Sequence, residues 1–335
     1  MSTTLIIVIL AVIIALSFDF LNGMNDAANS IATIVSTKVL TPFMAVAWAA
    51  FFNFAAVFIF GLHVANTIGK GVIEPHIINE YLILAALIGA VVWVYVCTHF
   101  GMPISVSHSL IGGLIGPALV AGGSSVLISA GIIKIILFIF LSPIIGMILA
   151  YLIMVLVLHL FRNKSPHKVD KYFRALQLFS SAIFSLGHGS NDAQKTMGVI
   201  AILLFSTGYI GPEFYVPTWV VFAAYSAISL GTLTGGWKVI KTLGAGLTDL
   251  KPIGGFSAET AGAITVIGSS LGGIPVSTTH TITGAIVGVG ITRRFSAVRW
   301  GIASHIVVAW IFTIPSTMIV SGGIYWMFKM LITGL

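Results

Sequence analysis

The sequence is that of an all-α polytopic membrane protein built as two inverted-topology repeats, each with a broken helix and a re-entrant helical hairpin. Three observations carry this expectation. The first is composition: 58% of the 335 residues are hydrophobic and only 7% charged, against roughly 25% charged in a soluble domain. The second is run length. The apolar stretches are too many and too long for a globular core and match bilayer-spanning helices; a β-barrel would show short alternating segments instead. The third is duplication. Gly23-Met24-Asn25-Asp26-Ala27 returns as Gly189-Ser190-Asn191-Asp192-Ala193, and Pro103-Ile104-Ser105-Val106-Ser107-His108-Ser109 returns as Pro275-Val276-Ser277-Thr278-Thr279-His280-Thr281. The spacings agree closely: 192 minus 26 is 166, and 280 minus 108 is 172.

Residues 1–17 lack a basic start and run directly into the first Asn-Asp motif, so they read as the beginning of a span rather than a cleaved signal. Residues 4–36 exceed one straight span of about 20 residues. Gly23 and the neighbouring asparagines predict a helix break near mid-membrane, with a half-helix starting at Asn25 or Asp26, both favourable caps. Spans follow at 43–66 and 81–100. The stretch 103–121 holds two prolines and three glycines and predicts a re-entrant hairpin, because irregular backbone at membrane depth must line a cavity. Residues 125–142 and 143–160 read as two further spans. Repeat one is thus 1–160. Residues 161–174 carry Arg162, Lys164, Lys168, Lys171 and Arg174 against Asp170 and predict a cytoplasmic linker loop. Repeat two, 175–335, replays the order: a second Asn-Asp motif in 175–206, spans at 216–237 and 252–272, a hairpin at 274–291, and hydrophobic segments at 300–320 and 322–335. Five spans plus a hairpin per half would invert the second half and leave both termini outside. That count conflicts with Arg293, Arg294 and Arg299, which it turns outward.

The net charge of +7 reflects basic residues gathered in short loops, as the positive-inside rule expects, and is no sign of nucleic-acid binding. The single Cys97 cannot form an intrachain disulfide.

The chemistry centres on Asp26 and Asp192. An ionised carboxylate at the bilayer centre costs about 2.5–3.5 kcal/mol on insertion scales. The first motif has no Lys or Arg beside it, and Lys195 lies three positions after Asp192. Compensation by a transported cation follows. Helix N-termini each carry roughly half a positive charge. Four of them, from two broken helices and two hairpins, would suit a small dianion, with hydrogen bonds from Ser105, Ser107, Ser277, Thr278, Thr279, Asn25 and Asn191.

Two Gly-x-Asn-Asp-Ala motifs with two Pro-x-Ser-x-Ser/Thr-His motifs resemble the inorganic phosphate transporter (PiT) family of cation-coupled phosphate symporters, over essentially the whole chain. The resemblance implies a secondary active transporter that takes up inorganic phosphate by sodium symport through alternating access. It implies no enzyme activity and no cofactor beyond co-transported Na+ or H+. It also implies a homodimer in the lipid bilayer of a prokaryotic plasma membrane, the cell inner membrane; the short central loop sets the chain apart from animal relatives. Phosphate would be held by Asn25, Asp26, Ser105, Ser107, Asn191, Asp192, Ser277, Thr278 and Thr279. Sodium would be held by Asn22, Asn25, Asp26, Asn191, Asp192 and Glu259, the last of which has Leu87 at the matching place in the first half. His108 and His280 could relay protons, since imidazole titrates near pH 6.5. The plainer readings are that the aspartates cap half-helices, the histidines pack in a core, and the glycines serve close helix contacts.

Proton coupling and sulfate transport are alternatives within the same class. An intramembrane hydrolase using Ser107 with His108, or Thr279 with His280, is disfavoured by the adjacency of the paired residues. An anion channel must hold its ions weakly, which suits paired acids poorly.

Overall fold

The computed structural model describes residues 2–333, apart from the side chains of 244–246 and 332–333. Its described residues are almost entirely helical. In chain order the helices are α1 (Thr3–Ser36), α2 (Pro42–Ala55), α3 (His63–Gly71), α4 (Glu80–Phe100), α5 (Val106–Gly122), α6 (Ser129–Phe161), α7 (Pro166–Ser206), α8 (Thr218–Thr234), α9 (Trp237–Gly246), α10 (Pro252–Leu271), α11 (Thr278–Ile291) and α12 (Trp300–Thr333).

The Asn-Asp motifs do not break their helices. α1 runs unbroken for 34 residues and α7 for 41. Asn, Asp and Gly have weak helix propensity, but the penalty is under about 1 kcal/mol each and tertiary packing overrides it. The motif glycines supply that packing. A Cβ on Gly23 would meet the Ile228 carbonyl oxygen at 1.9 Å, and one on Gly231 would meet that of Phe20 at 1.9 Å. Gly189 lies equally close to α2, where a Cβ would stand 2.5 Å from the Asn53 carbonyl oxygen. Each half does contain a sharply bent helix pair, but elsewhere: α2 and α3 meet at 81°, and α8 and α9 at 74°. The second bend passes through Gly235 at φ +64°, a left-handed conformation that favours glycine.

The hairpins are larger than the motif segments alone. The apolar helix before each motif is one arm, so α4 and α5 form the first hairpin and α10 and α11 the second. The motif itself is the tip between the arms. Gly101 and Gly273, 172 positions apart, turn the chain at each tip with φ of +71° and +64°. Ser105 caps α5 through the His108 N–H at 3.3 Å, and Ser277 caps α11 through the His280 N–H at 3.3 Å. The feet of each hairpin lie together. In the first, Ile73 pairs with Leu127 and the Glu74 N–H reaches the Val126 carbonyl at 3.0 Å. In the second, Thr248 donates to the Ala297 carbonyl at 3.0 Å and Arg293 to that of Asp249 at 2.9 Å.

Those feet sit at opposite ends of the molecule. α12 connects the two ends: Trp300 stacks on Phe295 beside the second pair of feet, while Phe328 packs on Tyr81 beside the first. α1 and α7 run in opposite senses, since Arg174 near the start of α7 donates to the Lys38 carbonyl just past the end of α1. The second half is therefore an inverted copy of the first. α6 and α12 are each one helix of 33 and 34 residues rather than two spans. Their internal prolines, Pro143 and Pro315, are again 172 apart. Each half thus has three end-to-end passages and one hairpin. The odd passage number inverts the copy, as five would.

This revision removes the conflict over the arginines. Both feet of the second hairpin lie at one end, which gathers Lys38, Arg174, Lys241, Arg293 and Arg299. The basic segment 161–174 is helix from Pro166 onward, leaving 162–165 as the connection between α6 and α7. α7 can start so early because Ser165 and Pro166 suit the N-cap and first-turn positions.

The apolar interior divides into two clusters. One gathers the first part of α1, α3, α4, α5, the last part of α7 and α8. The other gathers the last part of α1, α2, α9, α10, α11 and the start of α12. The Asn-Asp motifs fall between them.

Candidate functional site

The two motifs meet in the middle of the molecule. Asp26 and Asp192 are 2% and 0% exposed. One ligand atom from each, with one from His188, lies within 4.8 Å of the others. His188 stands one helical turn before Asp192 on α7. Its Nε2 lies 3.2 Å from Asp192 Oδ2 and 3.9 Å from Asp26 Oδ2, while Nδ1 lies 3.1 Å from the Asn53 side-chain oxygen. Both ring nitrogens therefore face oxygen acceptors.

The second hairpin tip supplies hydroxyls to the same place. The Thr278 hydroxyl is within reach of both carboxylates, 3.3 Å from Asp26 Oδ2 and 3.0 Å from Asp192 Oδ2. The Thr279 hydroxyl lies 3.3 Å from Asp26 Oδ1 and 3.1 Å from the Ile104 carbonyl on the opposite tip. Asn29 donates to Thr279 at 3.0 Å and Thr278 at 3.3 Å. Lys195 donates to Asp192, to Ser107 and to the Val276 carbonyl, the last at 2.7 Å.

The asparagines of the motifs hold the hairpins. Asn25 donates to Thr98 at 2.8 Å, and Asn191 donates to Ser270 at 2.8 Å. Thr98 and Ser270 are 172 apart, so the clamp is repeated in both halves. In each, the asparagine Oδ1 is buried without a hydrogen-bond partner.

The electrostatics differ from the reading of the sequence in one respect. Because α1 and α7 are continuous, the helix starts that the motifs supply to the site are those of α5 and α11, at the hairpin tips. Two helix N-termini offer about one positive charge rather than two. Lys195, 3% exposed, makes up the difference.

Several predicted residues lie apart from the carboxylates. Ser105 and Ser277 are at the tips, with their hydroxyl oxygens engaged as helix caps. His108 and His280 pack edge to face with ring centroids 4.6 Å apart, and His280 stacks on Trp310. Among the described residues no hydrogen bond joins either ring to Asp26 or Asp192. Glu259 accepts hydrogen bonds from Thr33 at 2.6 Å, Gln177 at 2.9 Å and Ser180, a separate cluster towards the basic end. Asn22 is buried with its Oδ1 unpartnered; one turn earlier on α1, Asp19 accepts from Thr196 at 3.0 Å.

Sequence reasoning did not single out His188, Asn29 or Asn53 for the site. The first two were visible as spacing. His188 is four residues before Asp192 and Asn29 three after Asp26, positions that share a helix face once the motif is taken as helical. Asn53 carries no such signal, because it reaches the site from another element.

Known proteins resemble the chain along most of its length. A family profile described as "Phosphate transporter family" matches residues 22–321. The chain is 57% identical over 312 residues to a protein of Rhizobium meliloti named "Probable low-affinity inorganic phosphate transporter", covering 93% of both chains. It is 40% identical over 333 residues to a protein of the same name in Bacillus subtilis, covering 99% of this chain and 100% of that one. A solved structure titled "The sodium-dependent phosphate transporter" superposes with a TM-score of 0.90 at 28% identity, over 97% of this chain and 99% of that one. Duplicated motifs, inverted halves and a buried acidic pair under two hairpin tips thus come with a profile match over most of the length: this multi-pass membrane protein belongs to the phosphate transporter family and is no enzyme.

Proposed function

We propose that the chain takes up phosphate by sodium symport, through alternating access to the site between the hairpin tips. The observation that carries this reading is the convergence of Asp26 and Asp192, buried and beneath the hydroxyls of Thr278 and Thr279. Two acids and an oxyanion at one buried point repel strongly at low dielectric. Cations binding with the anion neutralise them, so the two solutes travel together. Hard oxygen donors surround the acids, and such donors suit an alkali cation. The structural neighbour named for sodium dependence supports the same choice.

In this reading the phosphate oxygens accept from the free N–H groups at the starts of α5 and α11 and from Ser107, Thr278 and Thr279, with Ser105 and Ser277 shaping the tips. Asn25, Asn191, Asp26 and Asp192 serve anion and cation together, and Asn22 and Glu259 offer further oxygens to cations. His108 and His280 steady the contact between the tips. The basic end faces the cytoplasm, both termini lie outside, and exposed side chains such as Phe140, Ile311 and Ile319 face lipid. Repeat one (1–160) and repeat two (175–335) are the units that exchange conformations, and the protein works as a homodimer in the inner membrane.

The test is labelled-phosphate uptake into proteoliposomes, with sodium and pH gradients imposed separately. A sodium gradient alone should drive accumulation, and excess sulfate should not compete. Accumulation driven by a pH gradient alone would replace sodium with protons. His188 between the two carboxylates is the feature that favours this second reading.

A further inference from the structure

The inverted repeat allows each site residue to be compared with its counterpart. The Lys195 ammonium is held by Asp192, the Ser107 hydroxyl and the Val276 carbonyl. Moving 166 positions back along the Asn-Asp helices turns Lys195 into Asn29 and Asp192 into Asp26. Moving 172 positions between the hairpins exchanges Ser107 with Thr279 and Val276 with Ile104. The counterpart set is also assembled. Asn29 donates to Thr279 at 3.0 Å, and the Thr279 hydroxyl is 3.3 Å from Asp26 Oδ1 and 3.1 Å from the Ile104 carbonyl. Carboxylate, hydroxyl and backbone carbonyl therefore converge twice, once in each half. In the second half an ammonium sits among them. In the first half the residue at that place is a neutral amide, whose own Oδ1 is buried with no hydrogen-bond partner.

A carboxylate, a hydroxyl and a carbonyl are the donors a small cation takes from a protein, and the lysine ammonium is a compact point charge that such oxygens also hold. We propose that Lys195 is a tethered cation: it occupies in the second half the place that a transported cation takes in the first, among Asp26, Asn29, Thr279 and Ile104. The chain then moves one co-ion fewer per phosphate than a transporter with asparagine at both positions. This inference rests on the cation-coupled reading above. Its consequence is a lower driving force per phosphate, since each coupled cation contributes its own electrochemical gradient to accumulation.

The experiment counts sodium ions and protons entering proteoliposomes with each labelled phosphate. Lys195→Asn, which makes the halves alike, should raise the total by about one cation per phosphate and steepen the cation dependence of uptake. Asn29→Lys, which duplicates the tethered charge, should lower the total by about one. A Lys195→Asn variant that transports with an unchanged ratio overturns the inference. A wild-type protein that accumulates phosphate with no cation dependence defeats the symport reading itself, which separates the two failures. Should the asparagine variant not transport, Lys195→Ala decides by chemical rescue. Methylammonium should restore uptake to Lys195→Ala and leave the wild type unaffected, and absence of rescue in a folded Lys195→Ala protein overturns the proposal.

Discussion

At the scale of single residues, the two aspartates have unequal partners despite their symmetry. Asp192 is paired with Lys195 and His188, whereas Asp26 meets hydroxyls and, at the longer distance of 3.9 Å, the same imidazole nitrogen. Sequence alone suggests that Asp192→Asn leaves the fold intact and abolishes transport. The structure revises the first half of that statement. Removing one partner of a buried ion pair strands the other and costs about 3–5 kcal/mol, so Asp192→Asn should lower the thermal midpoint in detergent as well as uptake. Asp26→Asn strands no full charge of that kind. It should leave the midpoint close to wild type while coupled uptake falls at least about thirtyfold, the low end of the loss when a buried charge contact is truncated. Wild-type uptake by Asp26→Asn would remove this carboxylate from the transport site. The clamps make a milder prediction. Thr98→Val leaves the Asn25 amide without its acceptor and should destabilise by about 1–3 kcal/mol, and Ser270→Ala should act in the same direction by less, because the Asn191 amide keeps the Ile274 carbonyl at 3.3 Å. Thermal scans that found one clamp dispensable and the other not would break the functional equivalence of the halves.

At the scale of elements, glycine explains both a success and a failure of reading the sequence. Repetition, hydroxyl tips and inverted halves are visible because they are encoded as recurring local words at constant spacing. The course of α1 and α7 is not visible, because Gly23 and Gly189 read locally as breakers while their role is to admit a partner helix. That partner lies in the other half: α8 for Gly23 and α2 for Gly189. The same cause hid Asn53, which α2 brings to His188, and the second arm of each hairpin, whose apolar pattern is that of any span. Conversely, Asp26, Asp192, Thr278 and Thr279 were legible because a buried polar group in an apolar run has few plain explanations. The glycine argument has a direct test. Gly23→Ala and Gly189→Ala force backbone apart where no flexible side chain can give way, and each should cost about 1–3 kcal/mol. Gly268→Ala, with no neighbouring atom within 4 Å of its would-be Cβ, should be neutral or slightly stabilising through helix propensity. Equal midpoints for all three would mean the close approach of α1 to α8 does not set stability.

At the scale of the whole molecule, the site lies between two apolar clusters stacked towards opposite ends, and Asp26, Asn29, His188 and Asp192 are all at most 3% exposed. Access must therefore be created by motion. The direction it takes in this conformation is marked at the basic end by a cavity of about 540 Å³, lined among others by Ala32, Val35, Lys241 and Leu250. Ala32 is six residues beyond Asp26 on α1, so about 9 Å along the axis still separates the cavity from the carboxylates. The repeat partner of Val35, 166 positions on, is Ala201, which is 0% exposed and lies between Ile200 and Ile202 of the opposite cluster. If the halves exchange conformations during transport, the environments of these two positions must exchange with them: Val35 closes when Ala201 opens. The native background suits a labelling test, because the single Cys97 is 1% exposed. Val35→Cys should react with an impermeant thiol reagent applied from the cytoplasmic face, and Ala201→Cys only from the outside and only slowly. Conditions that turn the carrier outward, such as external sodium without phosphate, should slow the first reaction and speed the second by several-fold each. Reaction rates that rise or fall together would rule out exchange between the halves as the transport motion, since two inverted copies of one mechanism cannot open to both sides in the same step.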